Sequence, residues 1–114
     1  MNDLRIDYIE FPATSTAEAK QFYSSVFGWK FQDYGPTYTA FEDGRLNGGF
    51  QADPQTLPAK PLVILHAKDL EGALQAVRNA GGKITKEIYS FPGGRRFHFT
   101  DPVGNELAVW SEPV

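Results

Sequence analysis

Slid along itself by about 54 positions, the chain meets its own pattern, with Ala19 on Ala73, Gln21 on Gln75 and Gly28 on Gly82. Each half reads strand, helix, glycine stop and three further short strands. Matched letters are few, so the repeat is carried by the order of elements. At 114 residues the chain is near the usual size of one domain and too short for two independent cores. The duplication therefore has to be satisfied inside one small fold.

In the first half, Arg5 to Phe11 reads as a strand ended by Pro12. Ser15 and Glu18 have the spacing of a capping box, in which each side chain satisfies an otherwise orphaned amide. Ala19, Phe22, Tyr23, Val26 and Phe27 follow at i, i+3, i+4, i+7 and i+8 and predict one apolar helical face. Gly28 is placed to end that helix at positive φ. Trp29–Asp33, Tyr38–Glu42 and Leu46–Gln51 read as strands, broken by turn residues at Gly35–Pro36 and Asp43–Gly44.

The second half predicts a strand over Pro61–Ala67 and a helix capped by Asp69, with Leu70, Ala73, Leu74 and Val77 on one face and Gly81–Gly82 as its stop. Strands follow at Lys83–Tyr89, Arg95–Thr100 and Glu106–Ser111. Turns fall at Pro92–Gly93–Gly94 and Asp101–Pro102–Val103–Gly104. The expected organisation is one domain over 1–114: module one at 1–52, a polar, Pro-containing linker at 53–60 and module two at 61–114. One βαβββ unit cannot bury both a helix face and an open sheet face alone. The expected fold is α+β: two tandem βαβββ modules forming a curled eight-stranded mixed sheet around a cleft, helices outside.

Composition narrows the function classes. An apolar fraction of 41% is ample for one packed core. A net charge of −3 argues against nonspecific nucleic-acid binding, and the Arg95–Arg96 doublet is too small to track phosphates. No apolar run approaches the ~20 residues needed to span a bilayer, and the first residues lack a signal-peptide layout. Cysteine is absent, which rules out disulfides and thiolate metal sites and fits a reducing compartment. The expected location is the cytoplasm, with no membrane and no nucleic-acid partner.

Phe22–Tyr23, Phe27–Gly28–Trp29, Ala80–Gly81–Gly82 and Asp101–Pro102–Val103–Gly104–Asn105–Glu106, on a duplicated βαβββ order, resemble the vicinal oxygen chelate superfamily. That superfamily includes glyoxalase I, bleomycin-resistance proteins and extradiol dioxygenases. The run Gly94–Arg95–Arg96–Phe97–His98–Phe99 is most similar to short glyoxalase-related members. In metal-dependent members, four ligands come from the first and last strands of each module. The resemblance carries these positions onto Tyr8, the neighbourhood of Asn47–Gly49, Leu62 and Ala108. Leu62 and Ala108 cannot ligate a divalent ion, and a neutral Tyr does so poorly. No metal and no other cofactor is therefore expected, and lactoylglutathione lyase activity is not implied. A shifted metal site built from Glu10, His98 and Glu106 is the chemical alternative, because imidazole with carboxylates suits Zn, Ni, Mn or Fe.

Strand alternation assigns faces. With Ile9, Phe11, Val63, Leu65, Phe97, Phe99, Leu107 and Val109 packed under the helices, the opposite face carries Tyr8, Glu10, His66, Arg96, His98, Glu106 and Trp110. Glu10 reads either as a general base or as the partner of Arg96 in an ion pair. His98 reads as an acid–base group or as hydrogen-bonded scaffolding. Arg96 is suited to clamp a carboxylate. Tyr8, Trp110, His66 and Glu106 complete the expected binding wall, with His66 at a rim and Arg95 pointing to solvent. Trp29, Tyr34, Tyr38 and Phe41 either stack on a flat ligand or fill core.

Two function classes follow. The first is a metal-free module that binds a small aromatic or acidic molecule, of the bleomycin-resistance kind. The second is a lyase or isomerase, metal-dependent or metal-free, that abstracts a proton beside a carbonyl through Glu10 or His98. An accessory subunit with no ligand of its own is the third reading. Exposed sheet edges predict a homodimer.

Overall fold

A computed structural model describes residues 3–55 and 60–114. Residues 56–59 of the expected linker lie outside the described residues. The elements follow the expected duplicated order. They are β1 (Ile6–Pro12), α1 (Thr16–Phe27), β2 (Lys30–Asp33), β3 (Tyr38–Glu42) and β4 (Asn47–Gln51), then β5 (Leu62–His66), α2 (Leu70–Asn79), β6 (Lys83–Phe91), β7 (Gly94–Thr100) and β8 (Glu106–Ser111). Parallel and antiparallel pairs mix in both halves, as an α+β fold of this kind requires.

The residues fall into two compact units, Tyr8–Leu62 and Met1–Asp7 with Val63–Val114. In the first, β1 pairs parallel with β4, and β4, β3 and β2 form an antiparallel meander. In the second, β5 pairs parallel with β8, and β8, β7 and β6 are antiparallel. Residues 3–7 belong to the second unit because backbone bonds tie them to β5. Leu4 N–H donates to the His66 carbonyl at 2.6 Å and His66 N–H to that of Arg5 at 3.2 Å.

Both helices start as their capping residues dictate. The Ser15 hydroxyl accepts from Glu18 N–H at 3.1 Å, and the Asp69 carboxylate accepts from Gly72 N–H at 3.0 Å. Such caps are each worth about 1 kcal/mol. Gly28 ends α1 at φ 71°, a conformation open to glycine without strain.

The core of the second unit is α2 laid on β6, β7 and β8. Ala67, Leu70, Leu74, Phe97 and Val109 are buried together, with Leu65, Ala73, Val77, Ile84, Ile88 and Phe99 packed around them. These include Leu65, Phe97, Phe99 and Val109, whose strand parity predicts the helix side. The first unit is held by aromatic rings. Tyr23 of α1 stacks on Trp29 at 4.7 Å, Trp29 on Phe41 at 4.6 Å, and Phe11 on Phe50 at 5.3 Å. Phe41 is thus a core residue and Trp29 is half-buried against it, whereas Tyr34 is exposed.

Three expectations need correction. The apolar face of α1 is only partly covered: Phe22, Val26 and Phe27 are 54%, 55% and 61% exposed. The stripe is wider than the sheet beneath it, and Tyr23 takes the central contact. Arg95 does not point to solvent. Its guanidinium reaches α2 and donates to Glu71 at 2.6 Å, leaving the side chain 19% exposed. His66 is not on a rim but fully buried, because residues 3–5 run alongside it and Glu112 closes over its ring.

Gly48 and Gly49 let β4 sit close to its neighbours. A Cβ at Gly49 would lie 2.0 Å from the Tyr38 hydroxyl and 2.8 Å from that of Tyr8. Gly49→Ala is therefore expected to destabilise the protein by about 1–3 kcal/mol through overpacking. Urea unfolding monitored by tryptophan fluorescence checks this, and an unchanged midpoint would show that the two tyrosines can move aside without cost.

Candidate functional site

The polar residues of the wall lie on the sheet faces opposite the helices and gather into distinct networks within each unit. In the first unit, Tyr8 and Glu10 on β1 and Tyr38 on β3 converge over Gly49 of β4, where the missing side chain makes room. The Tyr38 hydroxyl donates to Glu10 Oε2 at 3.0 Å and lies 2.5 Å from the Tyr8 hydroxyl. With the Tyr38 proton directed at Glu10, the Tyr8 hydroxyl is the donor to the Tyr38 oxygen. Burial, then the negative charge of Glu10, holds the Tyr38 phenol well above its ordinary pKa, so it stays a donor. The arrangement presents one carboxylate backed by two aligned phenols.

In the second unit, β6, β7 and β8 bring four side chains together. His98 Nε2 lies 2.9 Å from the Tyr89 hydroxyl, and His98 Nδ1 lies 3.2 Å from Glu106 Oε2. Arg96 Nε donates to the Tyr89 hydroxyl at 2.5 Å. The guanidinium also sits over the Tyr89 and Phe91 rings, at 5.7 and 5.4 Å from their centroids. Arg96, His98 and Glu106 were legible from alternation. Tyr89 was not named, although Ile84 and Ile88 of β6 pack on the core and alternation from them puts Tyr89 on the opposite face; β6 also carries two register shifts, between Ile84 and Lys86 and between Lys86 and Tyr89.

His66 and Trp110 form a third cluster in the same unit. The His66 Nε2 atom is 2.8 Å from Glu112 Oε1, and the ring meets Trp110 edge-on at 5.0 Å. Hydrogen bonding to His66 holds the Glu112 carboxyl below its ordinary range. Trp110 Nε1 donates to Asp7 Oδ2 at 2.9 Å. Asp7 and Glu112 are further residues that sequence reading passed over. Neither lies in a motif, and only the chain's return to β5 places them.

The metal question reduces to donor chemistry. At the positions the resemblance assigns to ligands, Leu62 and Ala108 are buried hydrocarbon side chains without a donor atom. Tyr8 uses its hydroxyl in the Tyr38 bond. These residues do not fit the family ion. Among the described residues, no three His, Asp or Glu side chains gather where one ion could be held.

Burial first, and then the Arg96 cation, lowers the His98 pKa to about 4, against a smaller opposing effect of Glu106. The unfolded chain therefore takes up a proton that the native state refuses as pH falls from about 6.5 toward 4. Stability from this group is complete above pH 6.5 and is lost toward pH 4, on the order of 2 kcal/mol in total. Urea midpoints from pH 7.5 to 4.5 should fall more steeply for wild type than for His98→Gln. Parallel curves would contradict the burial of a neutral imidazole.

Comparison with known proteins agrees with this architecture. The sequence signature of the Glyoxalase/Bleomycin resistance protein/Dioxygenase superfamily matches residues 5–109. A glyoxylase-like domain-containing protein of Didymella fabae is 31% identical, covering 96% of this chain and 94% of its own. The Mn(II)-bound glyoxalase of Novosphingobium aromaticivorans superposes with a TM-score of 0.69 at 20% identity over 96% of this chain. The chain spans only 39% of that glyoxalase's length. Methylmalonyl-CoA epimerase of Mycobacterium tuberculosis gives 0.75 at 12% identity, covering 100% of this chain and 92% of the epimerase. At such identities the structural likenesses establish fold alone. With the family signature spanning both modules, the chain belongs to the Glyoxalase/Bleomycin resistance protein/Dioxygenase superfamily.

Proposed function

We propose that this chain is a small-molecule-binding protein of the glyoxalase/bleomycin-resistance type that works without the family's metal ion. The observation that carries the reading is the donor set: Leu62 and Ala108 stand at assigned ligand positions and offer an ion nothing. What the wall offers instead is a guanidinium braced on two aromatic rings. A planar cation held this way is organised before a ligand arrives and suits a carboxylate through paired N–H···O bonds. The ligand class is a small aromatic or acidic molecule. A cytoplasmic homodimer belongs to the same reading, supported by the absence of cysteine and by β2 and β6, each paired on one side only.

A second reading draws on Glu10. Backed by Tyr38 and Tyr8, its carboxylate is positioned as a general base toward a proton beside a carbonyl, in a lyase or isomerase reaction. The binding reading and this one part on turnover. Glu10→Gln should leave affinity within a few-fold in a binding module and abolish product formation in an enzyme.

Ligand-observed NMR with a panel of arenecarboxylates tests the binding reading directly. Wild type should bind members of the panel, and Arg96→Met should weaken that binding at least about tenfold, the loss of one charge-assisted bidentate pair. Equal affinity in the two proteins, or no binding from the whole panel, would overturn the assignment of Arg96 as the anion clamp.

A further inference from the structure

We propose that Tyr89 is a positioning residue which, directed by Arg96, holds His98 as the neutral Nδ1–H tautomer. Hydrogen-bond polarity along the row fixes the tautomer. A guanidinium has donors and no acceptor, so at 2.5 Å the Arg96 Nε–H must donate to the Tyr89 oxygen. Tyr89 then has one proton of its own to place, and His98 Nε2 lies 2.9 Å away. Donation there requires Nε2 to be bare. The ring proton is thereby confined to Nδ1, which faces Glu106 Oε2 at 3.2 Å, and a carboxylate oxygen can only accept. Every proton in the row points from Arg96 toward Glu106.

The reverse arrangement fails at both ends. A proton on Nε2 would give the Tyr89 oxygen a second donor and displace its own hydrogen from the row. It would also turn the bare Nδ1 lone pair onto the Glu106 carboxylate. The doubly protonated ring shares the first fault and adds a cation beside others. The charged and titratable groups facing His98 are Arg96 on its own strand, Lys86 and Tyr89 on β6, and Glu106 on β8. Two of these are cations, which oppose a third.

The consequence is specific. Both His98 nitrogens are engaged, so the ring is a fixed relay element and not an open base. Its tautomer is governed by Arg96 through the Tyr89 hydroxyl. An anion that draws the Arg96 guanidinium away from Tyr89 would release that control, so the His98 ring reports on the clamp. The inference goes beyond the binding reading and does not depend on a ligand being found.

Long-range 1H–15N correlation spectra of the full chain, labelled at its two histidines, read the tautomer at neutral pH. Wild type should show His98 protonated at Nδ1 and bare at Nε2. Tyr89→Phe should admit an Nε2–H population beside the Nδ1–H form that Glu106 still favours, and raise the His98 pKa, because the donor that favours a bare Nε2 is gone. Arg96→Met should turn the single tautomer into a mixture through the freed Tyr89 hydroxyl. Glu106→Gln should keep the Nδ1–H form, since a carboxamide oxygen still accepts. An Nε2–H ring in wild type would overturn the proposal, and that spectrum needs no variant to fold. An unchanged tautomer in both Tyr89→Phe and Arg96→Met would overturn it equally.

Discussion

Period-2 alternation along the strands is the constraint on which both units depend. A strand under a helix sends alternate side chains into the core and the others to the far side. In the second unit this places Leu65, Phe97, Phe99 and Val109 against α2, with Phe97 fully buried. The same geometry leaves Arg96 and His98 on the opposite face, one residue away from that core. In the first unit it sends Phe11, Phe41 and Phe50 into an aromatic stack under α1 and turns Tyr8 and Glu10 the other way. Core and wall are two faces of the same strands, so a change in register would exchange them.

On such a wall, polar groups persist only when their hydrogen bonds are met. Tyr38 and His98 are each answered in their own way. The Tyr38 phenol is kept protonated by burial and by the adjacent Glu10 charge, and it uses that proton on Glu10. The His98 imidazole is kept neutral by burial and by Arg96, and it is bonded at both nitrogens. His66 is the exception: fully buried with Nε2 on Glu112, it leaves Nδ1 without a hydrogen bond, 4.0 Å from Asp3 Oδ1. Neutral or paired groups are the forms such surroundings tolerate. They leave a surface whose fixed cation, Arg96, is braced by aromatic rings rather than immersed in water.

Much of this was legible in the sequence. The offset between Ala19–Gln21–Gly28 and Ala73–Gln75–Gly82 gave the duplication, Ser15 and Asp69 the helix starts, and parity the faces of β1, β7 and β8. Each of these signals is local or periodic. What stayed hidden depends on long-range pairing. Tyr89 joins the His98 network because β6 pairs with β7 so that Tyr89 lies opposite Arg96, a pairing register that nothing in Lys83–Phe91 marks. Arg95 turns to α2 because Glu71 is within reach, across a sequence separation of 24. His66 is interior because residues 3–5 run back along β5, and helix α1 presents more apolar surface than its sheet can cover. A periodicity shows which face a residue takes but not what lies over it.

Whether the wall binds its ligand without an ion is the central claim, and thermal unfolding of chelator-stripped protein with and without Mn, Ni, Zn, Co or Fe(II) tests it most directly. An ion bound at 100 times its Kd would stabilise the native state by ~2.7 kcal/mol and raise the midpoint of a domain this size by several degrees. The expected result is no shift with any of the five ions. A shift of several degrees with one of them, removed by Tyr8→Phe or by Glu10→Gln, would contradict the metal-free reading and point to a metal-assisted enzyme.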